Sequence, residues 1–119
     1  MKKQIQIADS ELPIMKVLWE KGELTSPEIF ADMDGNKSTL KTLLQRLVAK
    51  GAIKATEINS RIYKYSPLVT RDEYTNATRR SFIQKVFDGS AETMLLNFVK
   101  EEKISREDLQ KILNMVEEE

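Results

Sequence analysis

The amino-acid sequence predicts a mainly α-helical fold with a small β-hairpin wing. An N-terminal winged helix-turn-helix is expected over residues 1–68 and a C-terminal three-helix dimerisation region over residues 69–119. Three observations predict it. Residues 36–66 hold seven Lys/Arg against one acid, Glu57, a local charge of +6 in a chain whose total is zero. The first half of that segment is helically periodic, with Leu40, Leu43, Leu44, Leu47 and Val48 at i, i+3, i+4, i+7 and i+8. The second half alternates as a hairpin does. A basic amphipathic helix followed by a basic two-stranded ribbon suits a major groove and its neighbouring phosphates.

The elements follow in order. A first helix is expected over about residues 9–20, capped by Asp9 or Ser10, with Pro13 tolerated in its first turn. Leu12, Met15, Leu18 and Trp19 mark its buried side. Thr25 and Glu28 have capping-box spacing for a second helix, with Pro27 in its first turn and Ile29, Phe30 and Met33 facing inward. Asp34, Gly35 and Asn36 make a short turn, and Asn36 caps a third helix that runs to Lys50. The four glycines, Gly22, Gly35, Gly51 and Gly89, each follow a helical pattern and suit left-handed C-caps. The wing pairs residues 53–56 with residues 61–65 around a tip at residues 57–60, and Pro67 ends it.

A second unit then begins. Thr70 and Glu73 repeat the capping-box spacing, and a long helix continues to Asp88. Ser90 caps a fifth helix with the stripe Ala91, Met94, Leu95, Phe98 and Val99. Ser105 and Asp108 open a sixth with Leu109, Ile112, Leu113 and Val116. Three short helices with this much apolar surface bury too little by themselves to be stable, so a homodimer through this region is expected.

Composition narrows the function. The 119 residues are 40% hydrophobic and 32% charged, enough for a core, and no apolar run is long enough to span a membrane. No signal peptide precedes the first helix, so a cytoplasmic protein is expected. Cysteine and histidine are both absent, which removes disulfides, thiolate nucleophiles, the commonest general base and the commonest zinc ligands. An enzyme, a metal site and a cofactor are not expected. Residues 1–68 carry eleven bases and eight acids, while residues 69–119 carry eight bases and eleven acids. One part is built to meet a polyanion and the other is not.

At 100° per residue, the third helix sets Ser38, Thr42, Gln45 and Ala49 opposite its leucines, with Arg46, Thr39 and Lys41 flanking them. Threonine methyls suit thymine methyls, Gln45 suits adenine, and Arg46 suits guanine or phosphate. On the wing, Lys54, Arg61 and Lys64 are placed for phosphates, and Tyr63 and Tyr65 for packing the ribbon onto the helices. Two function classes fit this architecture. One is a homodimeric regulator on a double-stranded DNA operator; the other is a winged-helix protein–protein module without DNA binding. The +6 segment favours the first.

The segments ELPIMKVLW (residues 11–19), STLKTLLQRL (38–47), IYKYS (62–66) and MLLNFVK (94–100) together resemble the penicillinase-repressor family of bacterial regulators, the BlaI/MecI type. The resemblance spans nearly the whole chain and implies a winged-helix repressor with a three-helix dimerisation region. It implies palindromic operators with TACA-like half-sites before β-lactam-resistance genes. It further implies base and phosphate contacts by Ser38, Thr39, Lys41, Thr42 and Arg46, and relief of repression by a sensor-linked protease that cuts between Asn97 and Phe98. Two features depart from the family: a shorter turn before the third helix, and Leu12 followed by Pro13 where an aromatic is usual. The copper-sensing branch of the family uses a C-terminal cysteine cluster, which a chain without cysteine lacks.

Overall fold

The computed structural model describes residues 5–117 and contains six helices and one small sheet among them. It is the mainly helical winged-helix architecture that the sequence predicts. Two compact units divide it, one ending at Ala77 and one beginning at Thr78.

In the first unit, α1 (Leu12–Lys21) opens without the expected cap: neither Asp9 nor Ser10 serves it. Glu11 occupies the cap position in helical conformation. A preceding turn extends the helix backward, with the Glu11 and Leu12 amides donating to the Ala8 carbonyl at 2.9 and 3.0 Å. Ile14, Met15 and Leu18 are fully buried, whereas Leu12 and Trp19 only pack against the core from its edge. The inward stripe therefore runs Glu11, Ile14, Met15, Leu18, one position off the expected one.

α2 (Ser26–Ala31) begins on the expected capping box. Thr25 Oγ1 accepts from the Glu28 amide, and the Glu28 carboxylate accepts from the Thr25 amide at 3.0 Å. Just before it, β1 (Leu24–Thr25) is a strand that the sequence pattern does not predict. Two residues are too few to show a period. α3 (Lys37–Lys50) starts on Asn36, whose Oδ1 accepts from the Ser38 amide at 2.7 Å. Its leucines 40, 43, 44 and 47 are buried, but Val48 is 38% exposed and lies off the stripe. Gly51 closes α3 in the left-handed region at φ 81°, and its amide and that of Ala52 satisfy the last carbonyls. Gly35, by contrast, is not a C-cap, because α2 already ends at Asp32.

The wing is β2 (Ile53–Asn59) paired antiparallel with β3 (Ile62–Pro67), and β3 also pairs with β1, giving the order β1-β3-β2. The core of the unit collects Ile14, Met15, Leu18, Leu24, Ile29, the four α3 leucines, Ala52 and Ile53. Trp19 sits at its rim, donates from Nε1 to the Val69 carbonyl at 2.8 Å and meets the ring of Tyr74 at 5.5 Å.

α4 (Arg71–Phe87), α5 (Ala91–Glu101) and α6 (Arg106–Glu117) follow. Their expected caps form: the Glu73, Thr93 and Asp108 amides donate to Thr70, Ser90 and Ser105 hydroxyls at 3.0, 3.1 and 3.0 Å. None of their described residues is buried. Phe82 meets Phe87 edge-on at 5.7 Å and stacks on Phe98 at 6.5 Å, yet Phe82 and Phe98 remain 40% exposed.

Candidate nucleic-acid interface

α3 carries the first half of the site. With its leucines turned into the core, Ser38, Thr39, Lys41, Thr42, Gln45 and Arg46 are all exposed on the outward side. The Asn36 cap fixes where that face begins. The Thr42 hydroxyl turns back on its own helix and donates to the Ser38 carbonyl, one turn earlier, at 3.0 Å. Its proton is committed, so a methyl and acceptor lone pairs remain for a base edge. Gln45 and Arg46 make no side-chain hydrogen bond among the described residues, which leaves their amide and guanidinium available.

The strand register carries the second half. Lys54 pairs with Ser66 and Thr56 with Lys64, so both lysines lie on one face of the ribbon. Ile53, Ala55, Tyr63 and Tyr65 lie on the other. Tyr65 packs against the core, and burial, with a smaller contribution from Tyr63, pushes its phenol up from the ordinary value. Tyr63 stays 40% exposed, so only one of the two tyrosines anchors the ribbon. The tip is narrower than the spacing suggested: the turn is Ser60 and Arg61, both outside the strands. Asn59 Oδ1 accepts from the Arg61 and Ile62 amides at 2.9 and 3.1 Å and ties the turn. A register irregularity between Glu57 and Asn59 leaves Ile58 54% exposed beside it.

Two of the seven basic residues of the 36–66 segment are already engaged. Lys64 lies 3.5 Å from Glu23, an acid outside the 36–66 segment. Hydrogen bonds from Thr25 hold the Glu28 carboxyl below its usual value, with the charge of Lys64 adding to them. Lys50 donates to the Gln6 carbonyl at 2.9 Å and to the carboxylate of Glu11. Glu11 is 1% exposed, and its Oε1 also accepts from the Ala8 amide at 2.9 Å. Burial alone would raise the Glu11 carboxyl. The Lys50 hydrogen bond, the Ala8 amide and the charges of Lys50 and Arg46 outweigh it and hold the group below its usual value. The signal for Glu11 was present: it precedes Ile14, Met15 and Leu18 at helical spacing, an acid on an apolar stripe. Lys37, Lys41, Arg46, Lys54 and Arg61 form no ion pair among the described residues.

The residues of the expected cleavage site lie in the middle of α5. Asn97 and Phe98 are both exposed, and Phe98 stacks on Phe82. Among the described residues no group of three or more Asp, Glu, His or Cys is placed to hold a metal ion, and no helix is long and apolar enough to cross a membrane.

Comparison with known proteins agrees with this geometry. The family model described as penicillinase repressor matches residues 7–118. The chain is 30% identical to the penicillinase repressor of Bacillus licheniformis over 122 residues, covering 99% of this chain and 94% of the relative. It is 29% identical to the methicillin resistance regulatory protein MecI of Mammaliicoccus sciuri over 118 residues, covering 96% and 95% respectively. The solution structure of the DNA binding domain of the repressor BlaI superposes with a TM-score of 0.55 at 32% identity, over 62% of this chain and 94% of that one. That family is one of repressors and not of enzymes. A winged helix with a basic, polar exposed face, a family model matching residues 7–118 and a penicillinase repressor 30% identical over 99% of this chain place the chain in the penicillinase repressor family.

Proposed function

We propose that the chain is a DNA-binding transcriptional repressor that sits as a homodimer on a palindromic operator of the β-lactam-resistance type. Each subunit lays α3 in a major groove. Ser38, Thr39, Thr42, Gln45 and Arg46 meet bases and nearby phosphates, and Lys41, Lys54 and Arg61 hold the backbone. Lys64 joins them to the extent that Glu23 releases it. The observation that carries this reading is the exposed face of α3, polar and cationic from Ser38 to Arg46 with four buried leucines behind it. Base edges are read by such a face, whereas phosphate contacts alone position without specifying.

The homodimer reading rests on α4 to α6. Val86, Leu95, Leu96, Ile112, Leu113, Met115 and Val116 are all about half exposed or more in the single chain. That apolar surface supports a second copy of the same unit as its cover. The protease reading follows: cutting between Asn97 and Phe98 splits α5, separates Phe98 from the helix that precedes it, and leaves two readers no longer linked.

The test is a fluorescence titration with random duplex DNA at two salt concentrations, followed by sequencing of DNA selected on the protein. Steep salt dependence and recovery of an inverted repeat support the reading. Salt-independent binding, or no binding, would return the chain to the class of protein–protein modules.

A further inference from the structure

Lys50 ends α3, one turn beyond Arg46, and by sequence it is one of the seven cations of residues 36–66. Its surroundings say otherwise. The ammonium donates to Glu11 and to the Gln6 carbonyl, and its side chain is 33% exposed against 1% for Glu11. Glu11 also holds the Ala8 amide, so one buried carboxylate joins the turn before α1 to the last turn of α3. A carboxylate taken this far out of water keeps its charge only while its partners stay in place. A phosphate that drew Lys50 away from Glu11 would leave that buried carboxylate with the Ala8 amide as its one remaining donor among the described residues.

We propose that Glu11 is a positioning residue of the DNA-reading helix: it withholds Lys50 from phosphates and anchors the C-terminal end of α3, so that Arg46 is the cation presented there. This inference rests on the proposed DNA-binding function. Glu11 touches no DNA itself; it acts through Lys50 and through the position of α3.

The experiment measures the salt dependence of operator affinity for the full-length protein and for Glu11→Gln, Lys50→Met and the double variant, each checked for helical circular dichroism. In Glu11→Gln the amide oxygen still accepts from Ala8, but the negative charge that holds the Lys50 ammonium is gone, which frees Lys50 to turn to a phosphate. The slope of log K against log salt should then steepen by about 0.9 per freed lysine. Discrimination between the operator and its single-base variants should fall as the end of α3 loosens. The double variant should return to the wild-type slope, because its lysine is gone from a place where it bound no phosphate. Where a single variant does not fold, the double variant carries the test, since it leaves no buried charge. Two results would overturn the inference: a wild-type slope and wild-type discrimination in folded Glu11→Gln, or a slope in the double variant shallower than wild type by about 0.9. A wild-type chain that binds no duplex at all would overturn the parent reading and this one with it.

Discussion

At the residue scale, position along α3 and position in the packing are different things. Arg46 and Lys50 are four residues apart on one helix, yet Arg46 is exposed with its guanidinium available while Lys50 is held by a buried acid. Arg46→Ala should therefore weaken operator binding by about 1–3 kcal/mol and relax sequence preference. Competition with single-base operator variants reads both effects, and unchanged affinity and preference would mean that another element does the reading. Glu11→Gln should cost about 1.5–3 kcal/mol of folding stability at neutral pH, the range for a hydrogen bond to a charged group. The sign of its pH dependence follows from the shift. The folded-state pKa lies below the ordinary 4.5, so as pH falls the unfolded chain takes up the proton first. The contribution is complete above pH 4.5 and is lost as pH drops through the folded-state value. Urea midpoints of wild type and Glu11→Gln should converge on acidification below that point; a constant gap would show that the carboxylate charge is not what stabilises.

At the element scale, the helix boundaries were legible wherever a local signal sets them. The Thr25 and Thr70 boxes and the Asn36 and Ser90 caps each depend on residues within three positions, and each forms as the spacing suggests. Gly51 is the same kind of feature. Its φ of 81° is left-handed, and a Cβ there would meet nothing nearer than the Ile5 side chain at 3.9 Å. Gly51→Ala should thus cost about 1–2 kcal/mol through backbone strain alone, without a clash. A shifted urea midpoint at unchanged slope would show it; an unchanged midpoint would mean that α3 ends in some other way. The failures at this scale have a different origin. The strand β1 depends on a partner far along the chain and the two-residue tip of the wing on a register irregularity, and neither leaves a local pattern; the start of α1 rests on local bonds to Ala8 in place of a side-chain cap.

At the scale of the whole molecule, the two units differ in what they bury. The winged helix has a closed core, whereas no described residue of α4, α5 or α6 is buried in one chain. Sedimentation at micromolar concentration should give the mass of two chains, and a folded species of one-chain mass would rule the dimer out. Truncation after Pro67 would strip Val69 and Tyr74 from Trp19; truncation after Ala77 keeps both. The longer fragment should stay folded and monomeric and bind operator far more weakly, since two linked readers bind as one bivalent unit. A cleavable sequence installed around Asn97 and Phe98 tests the switch. After complete cutting, dimer mass and operator affinity should both fall, and if both persisted the cleavage mechanism would be lost.

The sequence alone determined the order of the helices and of the two wing strands, the leucine core of α3, its polar outward face and the apolar excess of the last three helices. All of these follow from periodicity, capping and composition, which act within a turn or two of the chain. The tertiary structure decided which charges are available. Lys50 against Glu11 and Lys64 against Glu23 are settled by neighbours far along the chain, which no local spacing encodes. The reason is physical: a charge is counted in sequence, but whether it can be offered to DNA depends on its desolvation and its partners, and those exist only once the chain has folded.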